Sequence, residues 1–275
     1  MGTRVQISSS VLVFCLLVVI LVLIGLALCG ALLDPPNRTI QVILSQFSLS
    51  SERTPPAFFA FLLLLICGVW LGIIALHEHH GGSRWWRHWA VLAVMFVFMA
   101  YDEAAGLHEK AIEPLRELLD AGGFFYYAWV IPGIIVVTIT FLAYLPFLLH
   151  LPPVFRWLFL LSGAIYVGGA IGMEMISGAH IDQHGRDLVY RLMTIVEEAF
   201  EMLGALLFIA SLMKYLTRRD GYFELKLGLT NRLPVGVAAR APGLGAGGAP
   251  PEAVTVLRRT PEAAARLAHP PSRAL

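Results

Sequence analysis

DLVYRLMTIVEEAFEMLGALLFIASLMK, residues 187–214, is an apolar run long enough to cross a bilayer, yet acidic side chains sit at its centre. At about 100° per residue of helix, Glu197, Glu198 and Glu201 fall within one arc, with Tyr190, Thr194 and Gly204 on or beside it. They form one polar stripe on an otherwise apolar helix. A charge at the bilayer centre costs at least about 2.5 kcal/mol on the gentlest scale, so the stripe must face partners rather than lipid. The rest of the chain is read for what keeps these glutamates company.

Of the 275 residues, 57% are hydrophobic and only 14% charged, which is too little charge to cover a water-soluble domain. The expected class is all-α: a polytopic membrane helix bundle in contact with the lipid bilayer. A formal net charge of +1 leaves no basic stripe to replace phosphate counterions, so no nucleic acid is expected as a partner. Cys15, Cys29 and Cys67 all lie in apolar runs and read as small hydrophobes.

Six spans are expected, near 11–33, 56–76, 86–107, 125–149, 154–177 and 187–214, each able to cross about 30 Å of hydrocarbon. The first is read as a retained helix, because its apolar run exceeds the core of a signal peptide. Together they make a transmembrane domain over 1–217. The Pro-, Gly- and Ala-rich stretch 218–275 is expected to be a disordered cytoplasmic tail. Arg4, Arg84, Arg87, Arg156, Lys214 and Arg218 then fall on one side, and the positive-inside rule places both termini in the cytoplasm of a multi-pass cell-membrane protein, by expectation a bacterial inner-membrane one. HEHH at 77–80 is read as a solvated loop end beside a belt of Trp85, Trp86 and Trp89. EKAIEPLRELLDAGG, 109–123, has the spacing of a short surface helix ended by Gly122 and Gly123.

This topology brings three further groups towards the expected outer side of the glutamate helix. The third span finishes in DEAAGLHE and carries Asp102, Glu103, His108 and Glu109. Asp102 and Glu109 share a helical face, whereas Glu103 and His108 join them only if the helix bends near Gly106. The fifth span carries Glu174 on a face with Gly163, Ala170 and Ser177, small residues that permit close helix packing. The hairpin SGAHIDQHGRD, 177–187, adds His180 and His184 at a spacing that suits zinc if helical.

Between residues 100 and 204 there are twelve Asp and Glu against five Lys and Arg. Arg186 and Arg191 are the plausible internal counter-ions, and two do not balance the acids. The remainder must come from protons or a bound cation. For carboxylate with imidazole the natural cations are Zn, Fe or Mn. The expected metal set is Asp102, Glu103, His108, Glu109, Glu174, His180, His184, Glu197 and Glu201, with Glu198 as a proton-shuttling catalytic group. No ExxH pair occurs, so the ferritin-like di-iron pattern is absent.

DEAAGLHE, WVIPG at 129–133, GGAIGME ending at Glu174 and EEAFEMLG at 197–204 together resemble the recurring motifs of an uncharacterised group of bacterial multispan membrane proteins. The resemblance covers roughly residues 95–215. It implies that the acids and His108 act as a unit, and it implies no reaction. The leading expectation is a metal-dependent membrane enzyme acting on a lipid-like substrate. A proton- or metal-coupled transporter and a structural subunit of a membrane complex are the alternatives.

Overall fold

The computed structural model describes residues 9–33, 37–49 and 54–220, and every regular element among them is helical. The expected tail falls outside these residues beyond Asp220, as does Arg4. Nine α-helices occur in the described chain: α1 Ser9–Leu32, α2 Arg38–Ser45, α3 Pro55–His80, α4 Trp86–Ala105, α5 Leu107–Leu119, α6 Val130–His150, α7 Pro153–Val167, α8 Glu174–His184 and α9 Leu188–Asp220. A 3-10 turn, Gly123–Phe125, precedes α6, and a π-helical turn, Gly168–Met173, joins α7 to α8.

Five stretches are long and apolar enough to cross a membrane: α1, α3, α4, α6 and the composite Pro153–His184. The stretch expected as a sixth span forms α9, which is not among those five. Its 33 residues reach about 50 Å at about 1.5 Å each. The glutamates interrupt its apolar run, and its place in the fold follows from packing rather than composition.

α1, α3, α7 and α8 gather on α9, while α4 packs along α3. Ile20 and Ala27 of α1, Cys67 of α3 and Phe159 of α7 share its core with Met202 and Ile209. Lipid tails give helices no hydrophobic reason to associate, so close contact of small residues carries the packing. Gly204 shows how close: a Cβ there would lie 2.7 Å from the Tyr166 backbone nitrogen. Gly169 brings the π turn equally near, since its Cβ would meet the Glu197 carbonyl oxygen at 2.7 Å. Outward faces stay apolar and exposed, as at Val94, Phe98, Ile139 and Leu142, which suits lipid.

Several local readings change. α3 runs on to His80, so HEHH is a helical last turn; its three histidines are exposed while Glu78 is 3% exposed and accepts a hydrogen bond from the Tyr215 hydroxyl at 3.0 Å. Helical periodicity turns one residue of four inward, and the residue turned inward is the acid. The surface helix exists as α5, but it ends on Asp120 at φ 48° before either glycine is reached. The hairpin 177–187 is helical as far as His184, and Gly185, at φ 75°, takes the left-handed turn out. The short helix α2, capped by Asn37, was not expected; its exposed Ile40, Val42 and Ile43 make it apolar on one side. At the other end of the bundle, Arg156 donates to the carbonyls of Leu148, Leu149 and Leu151 where α6 ends.

Candidate functional site

α4 stops at Gly106, whose φ of 57° only glycine adopts at little cost, and α5 starts immediately afterwards. This corner is the bend that the sequence made a condition for convergence. It folds His108 back on Asp102: the backbone N–H donates to Oδ1 at 3.0 Å, and Nδ1 lies 2.7 Å from Oδ2. With Nδ1 held by a carboxylate, Nε2 is the nitrogen left for other work. The ring packs against Trp129 at the start of α6, 5.0 Å between centroids. Burial pulls the His108 pKa down, but the Asp102 hydrogen bond and charge, with Glu174 and Glu109 behind them, leave it raised above the ordinary imidazole value.

Glu174 opens α8 directly after the π turn and is buried. The Trp129 indole N–H is buried beside it without a partner in hydrogen-bonding geometry. Facing Glu174, α9 presents its half-buried acidic stripe. The groups acting most strongly on Glu197 are Glu174 and Glu198; on Glu198, they are Glu201, Glu103, Glu109 and Glu174. Glu201 feels Glu103, Glu197 and Glu174, with the Tyr166 hydroxyl beside it. Ser177, whose hydroxyl donates to the Glu174 carbonyl at 3.2 Å, also meets Glu197. Beneath Glu201 and Tyr166 a cavity of about 10 Å³, walled by Ala60 and Leu63 of α3, closes the site on its apolar side.

Glu103, His108, Glu109, Glu174, Glu197, Glu198 and Glu201 are therefore within one another's electrostatic reach, and Asp102 enters as the partner of His108. The other two histidines do different work. His180 and His184 stack on successive turns of α8, 4.7 Å apart, and His180 Nε2 bonds to Asp187 Oδ1 at 2.8 Å. Asp187 is the N-cap of α9, since the same oxygen accepts from the Tyr190 backbone N–H at 2.8 Å. That hydrogen bond first, and His180 second, hold its carboxyl below the usual range. Asp182 accepts from the Gly123 N–H at 2.8 Å and ties the 3-10 turn to α8.

Among the described residues no group of three or more His, Cys, Asp or Glu is arranged to hold a metal ion. The donor types suit a divalent cation, but in this arrangement three of them do not converge on one point.

Tyr166, Ser177 and Trp129 were not anticipated as members of the site. Tyr166 lies in GAIYVGGAIG, where glycine spacing suggested packing alone. Its one signal was a phenol in a span otherwise nearly free of polar groups, since such a hydroxyl seeks a partner when buried.

No curated protein and no solved structure matches this chain. Residues 11–216, which take in all six expected spans, match the family described as "Domain of unknown function (DUF8692)", and the chain belongs to that family.

Proposed function

We propose that this membrane protein exchanges protons for a divalent cation (Zn, Fe or Mn) through the cluster of Glu103, Glu109, Glu174, Glu197, Glu198 and Glu201. The observation that carries this reading is the crowding of carboxylates from α4, α5, α8 and α9 around one another. Acids crowded inside a bundle are neutralised by protons. When Glu103 and Glu109 close on the stripe of α9, a divalent cation takes the place of two protons, and the charge of the site is conserved. The break at Gly106 and the π turn before Glu174 put irregular backbone beside the site, as in transporters whose helices are interrupted at their ion sites. In the orientation set by the loop arginines, both termini are cytoplasmic and the cluster opens towards the outer side of the cell membrane.

The test uses the full chain in vesicles loaded with a pH-sensitive dye. External Zn²⁺ or Mn²⁺ is expected to raise the internal pH as protons leave, and Glu198→Gln or Glu201→Gln to slow that response about tenfold or more. No response of the wild type to Zn²⁺, Fe²⁺ or Mn²⁺ would remove the exchange reading.

A second reading rests on the Asp102–His108 pair. A carboxylate that fixes one ring nitrogen is the usual support for a metal-bound histidine. It favours a metal-dependent enzyme acting on a lipid-like substrate, with the cation held by His108 Nε2 and neighbouring glutamates, and Glu198 moving protons. A bound cation there would supply an acidified water. Stoichiometric metal in the purified wild type, lost in Glu174→Gln and Glu197→Gln and unaccompanied by proton flux, would select this reading over exchange.

A further inference from the structure

A second cavity, about 400 Å³, lies away from the acid cluster, between the last turn of α1, helix α2 and the first turns of α9. Its walls differ in chemistry. Leu32 and Leu33 form an apolar edge, both 59% exposed, while Gln41, Ser45 and Arg191 supply polar groups. α2 is held close to α1 there, since a Cβ on Gly30 would sit 3.4 Å from the Leu44 carbonyl oxygen. The space is a half-open cleft between these helices, and its volume falls in the ordinary range for small-ligand sites. Among the described residues no carboxylate forms an ion pair with the Arg191 guanidinium.

We propose that this cavity binds the headgroup of an anionic phospholipid, with the phosphodiester on Arg191 and the first acyl carbons along Leu32 and Leu33. A guanidinium presents a planar fork that matches phosphate oxygens and is the anchor of the site. The Ser45 hydroxyl already donates to the Val42 carbonyl at 2.8 Å, so it lines the space without adding a donor. A soluble phosphate would have no use for the leucine edge, whereas a lipid in the surrounding leaflet meets both walls at once. The site is independent of the exchange reading above, because none of the cluster glutamates lines it.

Native mass spectrometry of the full chain in neutral detergent tests this, with phosphatidylglycerol, phosphatidylcholine and inorganic phosphate as probes. The wild type is expected to hold one phosphatidylglycerol, to prefer it over phosphatidylcholine, and to keep it against excess inorganic phosphate. Arg191→Gln is expected to weaken that binding about tenfold, as loss of a charge-assisted contact predicts. Ser45→Trp keeps the arginine but fills the space, and is expected to weaken it as much. Wild-type binding in Ser45→Trp, or in a folded Arg191→Gln, would overturn the proposal. So would equal binding of phosphatidylcholine, or displacement by inorganic phosphate.

Discussion

Both ends of the bundle bury an acid, and they treat it in opposite ways. At the aromatic end, Glu78 accepts from the Tyr215 hydroxyl, and Tyr215 lies edge-on to Phe155 and 5.1 Å from Trp89, a ring cage that fixes one geometry. At the other end, Glu174 is surrounded by further carboxylates, with one imidazole and an unsatisfied indole for relief. The first arrangement gives a buried acid its own neutral donor and reads as architecture. The second places acids side by side where each needs a proton to be buried, a tension that a fold retains where the acids are used.

Changing the contact that holds the crowded end together should have the largest effect. Gly204→Val pushes a branched side chain against the Tyr166 backbone, which cannot move aside as a flexible side chain can, and is expected to cost about 3 kcal/mol. Thermal unfolding in detergent measures it; an unchanged midpoint would mean that α7 and α9 are not held at this distance. Next in size is Glu78→Ala, which leaves the Tyr215 hydroxyl buried without its acceptor and should destabilise by about 1–3 kcal/mol.

Glu198→Gln should have the opposite sign. An amide needs no proton to be buried, so the unfolding midpoint at neutral pH is expected to rise, by up to about 2 kcal/mol, while ion exchange is lost. If Glu198→Gln and Glu78→Ala shift stability in the same direction, the contrast between the two ends fails.

The smallest effect is a pH dependence. The pKa of His108 is raised in the fold, so the protonated ring contributes stability that is complete below the ordinary imidazole value of about 6.5 and is lost as pH rises through the raised folded value. The midpoint of the wild type should fall across that window, and His108→Gln should flatten the curve. Asp187 acts at the acid side with the reverse sign: its pKa is lowered, so its contribution is present above the ordinary aspartate range and disappears as pH falls through the folded value.

Much of the crowded end was legible because charge in an apolar run is conspicuous. Three glutamates within five positions announced a stripe, and Gly106 announced the corner that brings His108 round. Other features follow rules that composition hides. Asp187 could have been read as a helix cap, standing immediately before an apolar run, but among so many acids its position was lost. HEHH read as solvent because three of its four side chains do face outward, and nothing local marks Glu78 as the one that Tyr215, 137 residues later, would take in. His180 and His184 do have the helical spacing on which their expected role depended; their neighbour Asp187 engages His180 instead.

The π turn at Gly168–Met173 carries a consequence for how Glu174 is aimed. Such a turn holds one residue more than an α-helix needs for the same rise and turn, so everything after it faces about 100° away from where regular winding of the same residues would aim it. Rewound as a regular α-helix with no residue removed, the segment would swing the Glu174 carboxylate off its bearing on α9, although no residue that touches the cluster had been changed. The winding between GGAIG and the acid is thus as much a part of the site's chemistry as the acid itself.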